Sequence, residues 1–192
     1  MNETTLTNNR VLKYLEKNPE DITREDLVDF VVNNGVEMIN FMYPAADGRL
    51  KTLNFVINDL DYLNTILTSG ERVDGSSLFP GFIEAGNSDL YVIPRYSTAF
   101  LDPFAEIPTL SMLCNFFDKD GNELASSPER ALRRACAEFR KATGLEFQAM
   151  GELEYYVISP DEGMFPASDQ RGYHESAPFA KFNDFRTRCM QY

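Results

Sequence analysis

A chain of 192 residues with 43% hydrophobic content has enough apolar material to bury a core, which excludes wholesale disorder. Its formal net charge of −12, from 18 basic and 30 acidic residues, sets it against phosphate backbones and anionic lipid, so neither nucleic acid nor a membrane is expected as a partner. Cys114, Cys136 and Cys189 are odd in number and lack a CxxC spacing, which argues for reduced thiols rather than a zinc site or disulfide framework. The start "MNETTLTNNR" is too polar for a signal peptide, and no apolar run approaches the ~20 residues that cross a bilayer. A soluble cytoplasmic protein is expected.

In chain order, residues 7–18 place Val11, Leu12 and Leu15 at helical spacing. A second helix is expected in "DITREDLVDFVVNNG", opened by a Thr23/Asp26 capping box and closed near Gly35. "VEMINFMYP" and "RLKTLNFVI" read as strands joined by the turn "AADG", giving a hairpin over 36–57. Residues 59–69 read as a helix, with Asp59 as N-cap and Gly70 as stop. Strands are expected at 89–94 and 109–117, the latter ending in the turn "DKDGN". A helix over 127–142 has Ser127 as cap and Pro128 at its first position. Glu129 and Glu138 point outward, Leu132, Ala135 and Phe139 share a face, and Gly144 stops it. Residues 145–158, "LEFQAMGELEYYVI", read as a long strand, 159–181 as a loop containing the lone His174, and "FNDFRTRCMQY" as the start of a helix. Cys114 on its strand and Cys136 on its helix are expected in the core.

Two stretches carry chemistry. "RVDGSSLFPGF", residues 72–82, sets Asp74 against Gly75, Ser76 and Ser77 and braces the stretch with Pro80 and Gly81. These residues suit a surface turn, and equally a loop built to hold a small cation or a phosphate. In "GELEYYVIS", Glu152 and Glu154 stand two apart, so on a strand both carboxylates face the same way, about 7 Å apart from a ~3.3 Å rise per residue. Either that face meets solvent, or, on a central strand, the two like charges call for hard divalent cations, Mg2+ or Mn2+.

Taken in order, "VDGSSLFPGF", "NSDLYVIPRYSTAFLDPF", "TLSMLCNFFDKDGN", "SSPERALRRACAEF" and "GELEYYVIS" resemble the N-terminal part of glutamine synthetases. The resemblance covers about residues 35–192 and implies an α+β fold. Residues 1–35 would be a helical extension and 36–120 a β-grasp domain. Residues 121–192 would begin an incomplete α/β catalytic domain built on a curved antiparallel sheet. It implies a ligase that joins glutamate and ammonium using ATP through a γ-glutamyl phosphate. Such an enzyme uses two Mg2+ or Mn2+ ions per complete site, and its active sites lie between subunits of a homo-oligomer. By the same resemblance Asp74 is the catalytic carboxylate that attracts ammonium and accepts its proton, Ser77 and Tyr173 line the ammonium pocket, and Glu152 and Glu154 bind metal. Phe79 and Pro80 stand where the family often has smaller residues, a departure shared in kind with ligases that take polyamines or other amines. The chain ends within its last helix, the pattern expected of a domain cut partway. On that reading it is inactive alone, or is a truncated subunit that docks onto full-length synthetase.

Overall fold

The structure, a computed structural model, describes residues 7–160, 174–176 and 180–192. One compact unit runs as far as Phe147 and a second spans Gln148–Tyr192.

In the first unit, Asn9 caps helix α1 (Arg10–Leu15) through its side-chain oxygen. The capping box forms at helix α2 (Arg24–Asn33): Thr23 Oγ1 accepts from the Asp26 amide at 3.2 Å, and Asp26 accepts from the Thr23 amide at 2.9 Å. Gly35, just past the end of α2, takes the left-handed φ of +62°. The expected hairpin forms as β1 (Met38–Pro44) and β2 (Leu50–Val56), paired antiparallel from Met38–Val56 to Pro44–Leu50. Helix α3 (Leu60–Ser69) carries the Asp59 cap and ends at Gly70.

The chain then forms β3 (Glu71–Asp74), the one-turn helix α4 (Gly75–Leu78), β4 (Asp89–Pro94), the two-residue β5 (Phe100–Leu101) and β6 (Thr109–Asp118). The sheet order is β2-β1-β6-β4-β3, with β5 also on β6; β1 and β6 run parallel and the other pairs antiparallel. The fold is mixed α+β. One sheet face packs Ile39, Phe41, Leu90, Val92, Leu110, Met112, Cys114 and Phe116 against Leu27, Phe30, Leu63 and Leu67 of the helices. Burial pushes the Cys114 thiol far above its ordinary range, so it behaves as a core residue, as expected. Across the sheet, Asn54 donates to Asn40 at 2.6 Å and Asn40 to Ser111 at 3.3 Å, tying β2, β1 and β6 in one register.

Four expectations need correction. Helix α5 (Pro128–Thr143) forms and stops at Gly144, but the Ser127 hydroxyl donates to the Leu124 carbonyl and makes no capping bond. Cys136 on α5 is exposed, because no residue of that helix is fully buried. Polar ties hold α5: Glu123 pairs with both Arg130 and Arg133, and Glu129, half-buried rather than outward, accepts from the Phe116 amide. Residues 145–158 do not form a strand. They are exposed, and among the described residues they pair with no strand. A strand without a neighbour leaves every N–H and C=O of its ladder unpaired, whatever its side-chain pattern. In the second unit helix α6 (Asn183–Gln191) forms, and Tyr155 meets Phe185 edge to face at 6.2 Å.

Gly70 shows how tightly the sheet fixes the chain entering β3. It sits at φ 68° and ψ −154°, a region open essentially to glycine alone, and an added Cβ would lie 2.1 Å from the Val92 carbonyl oxygen. Gly81 also has positive φ (+80°), yet a Cβ there meets nothing within 4 Å. In urea unfolding, Gly70→Ala is expected to cost about 3–5 kcal/mol, from strain plus overpacking. Gly81→Ala is expected to cost about 1 kcal/mol, from left-handed strain alone.

Candidate functional site

The register of β3 on β4 sets Asp74 opposite Asp89, and alternation sends both outward with Arg72, while Val73 and Leu90 point into the core. Like charges directly opposite each other on a sheet are unfavourable. Each acid is compensated separately. Arg72 Nη1 lies 3.3 Å from Asp89 Oδ1, an exposed pair of modest strength. Asp74 is compensated by hydroxyls: Ser77 Oγ donates to Oδ2 at 2.5 Å and Ser76 Oγ to Oδ1 at 2.7 Å, and the Ser76 amide donates to Oδ1 at 3.1 Å.

The turn and the cap are thus one device. Asp74 ends β3 and caps α4, so the stretch expected to be a loop is a strand end and a helical turn. Gly75 is required by packing. It is buried, its N–H donates to the Ser88 carbonyl at 2.6 Å, and a Cβ would lie 2.7 Å from Leu90 Cδ1 and 3.0 Å from Ser88 O. Phe79 anchors the far end. Its amide donates to the Gly75 carbonyl at 2.8 Å, and its ring meets Phe116 edge to face at 5.0 Å. The Leu78 carbonyl accepts from the Ala46 amide at 3.2 Å, linking α4 to the β1–β2 turn.

Donation by Ser77, then Ser76, holds the Asp74 carboxyl down at about 2, with a smaller contribution from Ser88. Asp74 is exposed and fully ionised at neutral pH. Such a group attracts a cation strongly and takes a proton only from a donor that becomes acidic.

The structure brings the Ser77 hydroxyl and the Asp74 carboxylate into hydrogen-bond contact. Tyr173 lies outside the described residues. Glu152 and Glu154 are exposed in a stretch of the second unit without regular secondary structure. Their oxygen donors are the right chemistry for Mg2+ or Mn2+, but two carboxylates leave most of the coordination shell to water. Among the described residues no group of three or more His, Cys, Asp or Glu gathers where it could hold a metal ion. The described residues therefore do not complete a metal centre. Sequence reading missed Arg72, Ser88 and the anchoring role of Phe79. Their signal was the β3–β4 register, hidden because β3 has only four residues.

Residues 35–119 match the family described as glutamine synthetase, beta-Grasp domain. Those residues are the β-grasp domain of the glutamine synthetase family. Over 173 residues it is 26% identical to a glutamine synthetase of Methanococcus voltae, covering 86% of this chain and 39% of that protein. It is 29% identical over 168 residues to a 3-hydroxylaminophenol mutase of Cupriavidus pinatubonensis, covering 83% of this chain and 34% of that protein. The chain therefore spans well under half the length of these relatives. Its fold is similar to that of a Plasmodium falciparum glutamine synthetase, with TM-score 0.54 and 22% identity over 64% of this chain and 23% of that one. No helix among the described residues is long and apolar enough to cross a membrane.

A folded value below the ordinary 3.8 means that Asp74 adds stability above that pH and loses it as pH falls toward about 2. Carbon-detected NMR titration is expected to place the Asp74 midpoint near 2 in the wild type and to move it upward in Ser77→Ala. An unmoved midpoint in Ser77→Ala would show that the serine hydroxyl does not set it.

Proposed function

We propose that this chain supplies the ammonium-facing, N-terminal part of an ATP-dependent glutamate–ammonia ligase. The observation that carries the reading is the exposed Asp74 carboxylate, kept ionised by Ser76 and Ser77 on a turn fixed to the core by Gly75 and Phe79. A carboxylate in that state stabilises ammonium beside it. With its pKa near 2 it anchors the cation first. Ammonium has no lone pair, so it first releases one proton to solvent; the resulting ammonia bonds to the acyl carbon of a γ-glutamyl phosphate while phosphate leaves, and Asp74 accepts the proton that the bonded, now acidic, nitrogen sheds. Tyr173, outside the described residues, is assigned to ammonium binding by its place in the sequence alone. Glu152 and Glu154 are assigned as two oxygen ligands toward a divalent cation, whose chemistry when bound is to offset phosphate charge. Active sites completed between subunits of a homo-oligomer belong to this reading. Because a mutase relative is about as identical to this chain as the synthetases are, family likeness alone does not select the reaction, and the Asp74 turn is what favours ammonium.

Two measurements test this. Ammonium chloride is expected to shift the Asp74 side-chain carbon more than tetramethylammonium chloride at equal ionic strength, because only ammonium donates hydrogen bonds. Asp74→Asn is expected to abolish the difference at Ser76 and Ser77. An equal response to both cations would contradict the ammonium assignment. With ATP, glutamate, hydroxylamine and Mg2+ or Mn2+, the 192-residue chain alone is expected to form no γ-glutamyl hydroxamate above background, since among the described residues only Glu152 and Glu154 are assigned as ligands to a divalent ion. Turnover would contradict that part.

A further inference from the structure

On the first unit, away from Asp74, a cavity of about 540 Å³ is lined by Arg95, Tyr96, Ser97, Asn115 and Arg133, and by Pro19, Glu20 and Ile22. Two of its groups lack partners of opposite hydrogen-bonding sense. Asn115 Oδ1 is buried and accepts from no donor among the described residues. The half-buried Arg95 guanidinium has no carboxylate within ion-pair distance and no side-chain hydrogen bond among them. Leaving a buried acceptor unpaired is costly, and a partly desolvated cation without a counter-charge is costly too. Arg133 adds positive charge, because its partner Glu123 is shared with Arg130. Glu20 lies on the same cavity and is exposed.

We infer that this cavity binds a small oxyanion that carries its own hydrogen-bond donor. The anionic oxygens meet Arg95 and Arg133, and the donor meets Asn115 Oδ1. Glu20 strengthens the selection, because it repels a bare dianion and accepts from an anion that still holds a proton. Dihydrogenphosphate, the main form of phosphate at pH 6.5, has this character, with a single charge and one hydroxyl for each acceptor, whereas sulfate has charge and shape but no donor. The arginine pair explains how a chain of net charge −12 would hold an anion here.

The test is an amide-detected NMR titration of the 192-residue chain with inorganic phosphate and with sulfate, at pH 6.5 and constant ionic strength. Phosphate is expected to give saturable shifts at Ser97, Asn115 and Arg133, with roughly millimolar half-saturation for so small a ligand. Sulfate is expected to bind at least about threefold more weakly, for want of the donor. Arg95→Ala is expected to weaken phosphate about tenfold through loss of a charge-assisted contact. Arg133→Ala, at an exposed helix position, gives an independent weakening if the first variant does not fold. Asn115→Ala is expected to erase the preference for phosphate over sulfate. Linear, unsaturating shifts, equal binding of the two anions, or curves unchanged by the arginine substitutions would each overturn the assignment.

Discussion

Strand β6 is the element on which everything else rests. It pairs parallel with β1 on one side and antiparallel with β4 and β5 on the other, so it alone joins the β1–β2 hairpin to the β3–β4 pair. Its inward residues Leu110, Met112, Cys114 and Phe116 are all fully or almost fully buried. Phe116 carries particular weight: Tyr43 packs on it from β1 and Phe79 from the Asp74 turn. Full removal of such an aromatic from a core costs about 3–5 kcal/mol, a large share of the stability of a domain this size.

The candidate site inherits its geometry from that strand. β4 is aligned by β6 and β3 by β4, and the last β3 residue is Asp74. The acid is therefore placed by a ladder of backbone bonds, while its charge state is set locally by two serines. Position and ionisation have separate causes, so each can be altered without the other. The size of the Phe79 side chain has a structural reason. Its ring is the plug that holds the turn to the core.

What the sequence disclosed follows from the range of the interactions involved. Helices α2 and α3 were legible because their hydrogen bonds, the Thr23/Asp26 box, the Asp59 cap and the terminal glycines are all local. Helix α5 formed for the same reason even though Leu132 and its neighbours remain exposed. The β1–β2 hairpin was legible because its turn lies between its strands. Strand identity at 145–158 was not, because alternation describes a face and says nothing of a neighbour, and a strand exists only beside one. The short β3 failed in the opposite direction. Four residues beside Gly70 and Gly75 look like a turn, and only pairing with β4 makes them a strand. In the site, the closeness of Asp74, Ser76 and Ser77 was readable from their spacing. The opposition of Asp74 and Asp89, and the pairing of Arg72 with Asp89, needed the register.

The central claim is that the Asp74 turn is preformed, as rigid as the sheet that carries it. Amide hydrogen exchange of the 192-residue chain tests this most directly. The expected result is that the Gly75 and Phe79 amides, bonded to Ser88 and Gly75 carbonyls, exchange as slowly as those of β4, while residues 148–158 exchange at the rate of an unpaired chain. Rapid exchange at Gly75 and Phe79 beside a protected β4 would contradict it. The turn would then take its shape only when something binds.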